Sequence, residues 1–356
     1  MSSNIKGGYM GYEVFFEELG FPMRGSKLKK LKEFLLEDGL DYDEGIEYTV
    51  NLCDSNGNIA ATGSLEGNVL KCIAVSNIYQ GEGLSAKVVT ALTSEAINIG
   101  HSHLLLFTKK ENIKIFRDLG FYLIASTNDA ALMENRKNGI LDYVNSLKSK
   151  DFHVGDNVGA IVLNCNPFTK GHLYLIETAA KKCDLLHLFV VSEDKSIFPA
   201  QARYSLVKNG VKHLNNVVVH PTSHYLISSA TFPTYFIKDK YKAGEINCIL
   251  DLTIFKEYFA KILSIQKRFV GNEPFDKVTA AYNLQMKEFL GEHGIEVVEI
   301  TRYEQEGSPI SASRVRKLMV EGSYEQIKEL VPQVTYEYLL SREGLKIAEK
   351  LRSENE

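Results

Sequence analysis

Three short segments of this 356-residue chain carry side chains suited to handling phosphate. The first is Asn164-Cys165-Asn166-Pro167-Phe168-Thr169-Lys170-Gly171-His172, directly after an apolar run that starts at Val158. Pro167 stiffens the turn, and Gly171 lets backbone come close to a ligand. His172 falls in the first turn of a helix, where free N–H groups and the dipole favour phosphate. An imidazole there can donate a hydrogen bond to charge growing on an α-phosphate. A Gly-His pair also begins many ordinary helices, so the segment gains weight only from its companions. The second segment, Ser192-Glu193-Asp194-Lys195-Ser196-Ile197-Phe198, follows the next apolar run, and Arg203 stands a little further on. A Lys and an Arg converging there suit an anion, although such charges more often line a solvated loop. The third is Ile310-Ser311-Ala312-Ser313-Arg314-Val315-Arg316. Ser311 can cap a helix, Ser313 adds a hydroxyl, and Arg316 lies about one turn along. Hydroxyls and a guanidinium at a helix start suit a polyphosphate.

These segments need a scaffold that brings them together. From Val158 onward short apolar strands alternate with amphipathic helices. The strands read as Val158 to Asn164, Leu185 to Val191, Val217 to Val219, Ile246 to Leu250 and Val297 to Ile300. Helices read over 171–182, 200–213, 232–241, 253–264 and 278–292. The pattern predicts an α/β fold with a parallel, doubly wound sheet. Ligands of such sheets bind beyond the carboxyl ends of the strands, here just after Asn164, Val191 and Ile300. The earlier part reads as α+β: a hairpin over Tyr48 to Ser64, a strand from Val69 to Val75, then Gln80-Gly81-Glu82-Gly83 opening a helix. The length calls for two domains. Boundaries fall at 1–135 for the first domain, 136–153 for a polar helical linker, 154–335 for the second domain and 336–356 for a charged terminal helix.

The three phosphate segments, taken together and in order, resemble the nucleotidyltransferase superfamily, with its Thr/His-x-Gly-His and Ile-Ser-x-Ser/Thr-x-x-Arg motifs. Thr169 stands at the variable first position. The run Asn164 to His172, Ser228 to Phe236, Gly271-Asn272-Glu273-Pro274 through Val278-Thr279 and Tyr282-Asn283, and Ile310 to Arg316 resemble the citrate lyase ligase family. In the first domain, Gln80-Gly81-Glu82-Gly83-Leu84-Ser85 and Phe116-Arg117-Asp118-Leu119-Gly120-Phe121 resemble elements of GNAT acetyltransferases. Ser85 stands where that fold usually has Gly or Ala.

The resemblance implies a Rossmann-like nucleotidyltransferase domain behind an N-terminal GNAT-like domain, and an acid-thiol ligase. Such an enzyme uses ATP and Mg2+ to convert acetate to acetyl-adenylate, releasing pyrophosphate. It then acetylates the phosphoribosyl-dephospho-coenzyme A group of the citrate lyase acyl carrier subunit. It implies catalytic roles for His172, Lys195 and Arg203. ATP contacts fall to Asn164, Asn166, Thr169, Lys170, Gly171, Ser311, Ser313 and Arg316. Gln80, Gly81, Gly83 and Ser85 are the positions for a coenzyme A-like group. The alternative is an adenylyltransferase of coenzyme biosynthesis, with phosphopantetheine or a mononucleotide as acceptor. A third reading, an N-acetyltransferase joined to a nucleotide sensor, leaves the full phosphate constellation without use.

Composition sets the outer limits. A formal charge of -4 argues against a general nucleic-acid binder. No apolar run approaches the roughly 20 residues that cross a bilayer, so no membrane role is expected. Five scattered cysteines without a Cys-x-x-Cys pair form neither a disulfide framework nor a zinc knuckle, which points to a reducing cytoplasm. His101 and His103 alternate on a strand without completing a metal set.

Overall fold

The computed structural model describes residues 15–148, 157–227, 240–273, 277–305 and 308–353. The chain divides into two compact units, the first built mainly from residues up to Leu123 and the second mainly from Asn138 onward. The motif Ser228 to Phe236, Pro274 and most of the expected helix 232–241 lie outside the described residues.

The first unit holds β1 (Phe16–Gly20), α1 (Gly25–Glu37), β2 (Tyr48–Cys53), β3 (Ile59–Glu66), β4 (Val69–Val75), α2 (Leu84–Asn98), β5 (Leu105–Lys109) and α3 (Ile113–Asp118). With β6 (Tyr122–Ser126) and β7 (Ala130–Glu134) the strands form one sheet, ordered β1-β2-β3-β4-β5-β7-β6. The first four strands run antiparallel, β2 to β4 as successive hairpins and β1 joined to β2 through α1, and β4 meets β5 in parallel. Helix α2 buries Val88, Val89, Leu92 and Ala96 against Val50, Leu52 and Leu65. Gly63 permits this approach, since a Cβ there would sit 2.5 Å from a Val88 methyl. Before α2, Gly81 and Gly83 take φ of 90° and 73°, left-handed values that Gly adopts without strain. The expected glycine loop at a helix start is therefore present, with Gln80 and both glycines exposed.

The first helix of the second unit is α4 (Gly139–Ser146), which falls within the predicted linker. The unit continues as β8 (Val158–Leu163), α5 (Lys170–Ala180), β9 (Leu185–Val190), α6 (Ala200–Gly210) and β10 (Val217–Pro221). Next come α7 (Lys240–Ile254), a π-helical stretch Phe255–Ala260, the single turn α8 (Lys261–Leu263), β11 (Lys267–Gly271), α9 (Lys277–Glu292) and β12 (Glu296–Ile300). After the two-residue strands β13 (Glu304–Gln305) and β14 (Ser308–Pro309) come α10 (Ala312–Glu321), α11 (Tyr324–Leu330), α12 (Gln333–Leu340) and α13 (Arg342–Ser353). The main sheet is parallel throughout, in the order β10-β9-β8-β11-β12. This is the doubly wound α/β sheet expected from the alternating pattern. The order reverses between β8 and β11, the switch point where such folds bind ligands. Those two strands pair only at Lys267↔Gly159 and Arg268↔Ala160, so they separate toward their carboxyl ends.

Two sequence expectations fail here. Ile246 to Leu250 lies within helix α7, and the fourth strand of the sheet is instead Lys267–Gly271. A short apolar run fits a buried helix as well as a strand, and length decides; this run sits inside 15 helical residues. The true strand opens with Lys267-Arg268, whose charges hid it. The tail is also two helices rather than one, because Ser341 turns to extended backbone between α12 and α13.

Candidate active site

A cavity of about 850 Å³ lies within the second unit, lined by Asn164, Thr169, Gly171, His172, Arg268, Tyr282, Asn283, Arg302, Ser311 and Ser313 among others. Its volume falls in the range of small-molecule sites. The carboxyl ends of β8, β11 and β12 form its base, and the starts of α5 and α10 form one wall. The first and third phosphate segments thus meet at one cavity.

Two contacts hold the helix starts together. A Cβ on Gly171 would lie only 2.9 Å from the carbonyl oxygen of Ile310, so this approach needs glycine. Arg316 donates from Nη1 to the carbonyl of Asn166 at 2.6 Å and from Nη2 to the Ser313 hydroxyl at 3.2 Å. The Arg316 guanidinium therefore links α10 to the loop after β8. At the start of α10, the Ser311 hydroxyl accepts the Arg314 N–H at 3.1 Å.

Helix α5 begins with a capping box. Thr169 accepts the His172 N–H at 3.4 Å, and its own N–H donates to Nδ1 of His172 at 3.0 Å. Nδ1 is therefore an acceptor, and the neutral ring carries its proton on Nε2. No described residue takes that Nε2 proton. Burial, with the nearby Arg302 charge adding to it, depresses the His172 pKa to about 4. At neutral pH the ring is an uncharged donor bordering the cavity. This is a tautomer chosen by helix capping.

The second phosphate segment has a different geometry. Arg203 is fully buried, with Nε donating to the Phe198 carbonyl at 2.9 Å. Its Nη1 donates to the carbonyls of Asn164 at 3.0 Å and Val191 at 2.6 Å and to the Asn164 side chain at 2.8 Å. Nη2 reaches the Glu193 carbonyl at 2.5 Å. Arg203 thus ties the loops after β8 and β9 together and does not border the cavity. Lys195 is exposed and stands 3.7 Å from the Glu193 carboxylate. Asn166 accepts the Phe198 N–H at 3.1 Å, and Asn164 exchanges hydrogen bonds with Ser196. Lys170 is half-buried at the first position of α5.

Arg302, which lines the cavity, and Asp251, close by, were not singled out in the sequence. Arg302 pairs with Glu273 and donates to the Asn272 carbonyl at 2.7 Å. Asp251 is buried beside the cavity, holding the Ile227 N–H at 2.8 Å and the Tyr282 hydroxyl at 2.9 Å. Burial raises its pKa above the usual carboxylate range. Deeper in the sheet, His187 and His220 form a buried pair 2.9 Å apart. Burial lowers both of their pKa values well below normal.

No group of three or more His, Cys, Asp or Glu side chains among the described residues makes a metal site. Nor is any described helix long and apolar enough to cross a membrane.

Residues 158–339 match the family profile of the citrate lyase ligase C-terminal domain. A citrate (pro-3S)-lyase ligase of Klebsiella pneumoniae is 42% identical, over 87% of this chain and 92% of that protein. Its counterpart in Escherichia coli K12 is 41% identical, over 88% of this chain and 90% of that protein. A solved Francisella tularensis NMN adenylyltransferase/ADP-ribose pyrophosphatase shares 16% identity over 56% of this chain and 52% of that one. Its TM-score of 0.36 is too low to carry an argument.

Proposed function

Since this chain belongs to the citrate lyase ligase family, we propose that it switches on citrate lyase by acetylating the thiol of its acyl carrier with acetate and ATP. The chain is an enzyme, a ligase of that family. The observation that carries the finer reading is the meeting of two helix starts at one cavity, with the neutral His172 donor beside them.

The triphosphate lies across the starts of α5 and α10, whose free N–H groups face anions. An acetate oxygen attacks the α-phosphorus, the bond from that phosphorus to the bridging oxygen breaks, and pyrophosphate leaves. His172 donates its Nε2 proton as a hydrogen bond to a non-bridging oxygen as charge builds there. Ser313 and Lys170 meet the departing phosphates. This is stabilisation by fixed donors, and no protein group becomes covalently attached. The carrier thiol, giving its proton to solvent, then attacks the acetyl carbonyl carbon and expels AMP. Arg203 and Arg316 act as positioning residues, since both guanidiniums hold loop carbonyls. Magnesium bound with the triphosphate would neutralise polyphosphate charge; the described residues hold no group of three or more His, Cys, Asp or Glu side chains dedicated to a metal.

In the first unit, the loop Gln80-Gly81-Glu82-Gly83-Leu84-Ser85 receives the coenzyme A-like arm of the carrier. It serves docking rather than a second reaction. Replacing both Gly81 and Gly83 by Ala strains two left-handed positions. That variant should keep acetate-dependent pyrophosphate release and lose thioester formation; equal loss of both would remove the docking role.

The test of the whole reading is pyrophosphate release with a panel of short acids, with and without the carrier subunit. Release that depends on acetate supports the ligase. ATP cleavage that instead requires phosphopantetheine or a mononucleotide would make the chain an adenylyltransferase of coenzyme synthesis.

A further inference from the structure

Arg268 is the second residue of β11, only 4% exposed, and its side chain lines the cavity. Its guanidinium lies 4.5 Å from the ring centroid of Phe255, which holds the cation in place. Nε and Nη1 have no hydrogen-bond partner among the described residues. Asp251, the acid that acts on it electrostatically, makes no ion pair with it; its carboxylate oxygens hold the Ile227 N–H and the Tyr282 hydroxyl. Asp251 offsets part of the charge at a distance and leaves these donors open.

A buried cation with empty donors is unfavourable, and folded proteins rarely keep one without use. Helix α6 of the same unit shows the ordinary alternative in Arg203, whose three nitrogens all meet acceptors. The other arginine lining the cavity, Arg302, is paired with Glu273. Of the two arginines lining this cavity, Arg268 has no carboxylate partner and keeps two buried donors unmet. Its position matters as well: Arg268↔Ala160 is the last paired register before β8 and β11 separate. The guanidinium therefore sits where the switch-point crevice opens. Ile227, Val270 and Met286 supply apolar wall there. One positive charge beside apolar wall suits a short monocarboxylic acid.

We infer that Arg268 is the carboxylate anchor of the acid substrate, a specificity-determining residue for a short carboxylic acid that enters the crevice between β8 and β11. The inference rests on the ligase reading above. One carboxylate oxygen takes the Arg268 donors, and the other remains free for phosphorus. The acid is thereby held on the sheet side of the cavity, while the triphosphate occupies the helix starts.

The experiment compares Arg268→Met and Arg268→Lys with the wild-type full chain in the acetate-dependent pyrophosphate assay, together with thermal unfolding. Methionine keeps the length and removes the donors. The expected result is an acetate KM raised tenfold or more, an unchanged ATP KM, and a Tm that is equal or higher. Lysine, which keeps the charge, should recover part of the acetate affinity. An unchanged acetate KM in Arg268→Met overturns the assignment. A lowered Tm with ATP and acetate KM values rising together overturns it too, making Arg268 a structural residue. A rise confined to the carrier KM would give the site to the carrier arm instead. Failure of the wild-type chain to release pyrophosphate with any short acid would sink the ligase reading itself, an outcome separable from each of these.

Discussion

Two buried arginines stand in the same α/β unit under opposite conditions. Arg203, in the brace behind the cavity, reaches the carbonyls of Asn164, Val191, Glu193 and Phe198. Arg268, on the cavity side, leaves Nε and Nη1 without partners. Burial disfavours both charges and lowers both pKa values. The brace is complete when the chain folds; the cavity side is complete only with a ligand. A saturated polar network holds shape, and an unsaturated one confers recognition at some loss of stability.

The sharpest way to break this contrast is Arg203→Met. Four carbonyls, two of them in buried hydrogen bonds, would lose their donor, so the expected loss of stability is on the order of 4 kcal/mol. Urea unfolding measures it, and a change as small as that of Arg268→Met would erase the distinction. Next in size is His172→Ala, which removes the open donor of the helix-start wall. Turnover should fall about 10²–10³-fold with little change in the ATP KM, a pattern expected of a donor that acts in the transition state. Near-normal turnover would take His172 out of the chemistry.

A smaller effect concerns pH. His172, His187 and His220 are held neutral in the fold, with pKa values below the ordinary 6.5. Between about pH 6.5 and 4 the unfolded chain takes up protons that the folded chain refuses. Stability from these groups is whole above pH 6.5 and declines as the pH falls toward 4. The urea midpoint should therefore drop between pH 7 and pH 5. A double His187→Phe, His220→Phe variant should show a shallower drop; an identical drop would deny the pair its share. Smallest is Ser311→Ala, which removes the α10 cap. It should cost about 1 kcal/mol of stability by thermal unfolding and weaken ATP binding modestly.

The sequence disclosed the helix starts because caps leave local marks. Thr169 and Ser311 can be read in place, since each caps its helix through a residue three positions on, whereas Gly171 owes its type to the distant Ile310 carbonyl. The parallel sheet was legible through alternation, apart from the strand Lys267–Gly271, which carries its two charges first. Arg268 carries no local mark in the sequence. Its burial depends on Phe255 and on the separation of β8 from β11, contacts that no local pattern encodes. Arg203 was noticed as a charge near the site, but its carbonyl partners come from two loops, after β8 and after β9, brought together by folding.

The capping box at the start of α5 ties turnover to the integrity of a single helical turn. Thr169 aims the imidazole, and the imidazole closes the turn. Helix ends loosen well before a sheet does. On warming, then, catalysis should fade while the parallel sheet is still intact, and a thermometer reading activity would stop below one reading structure.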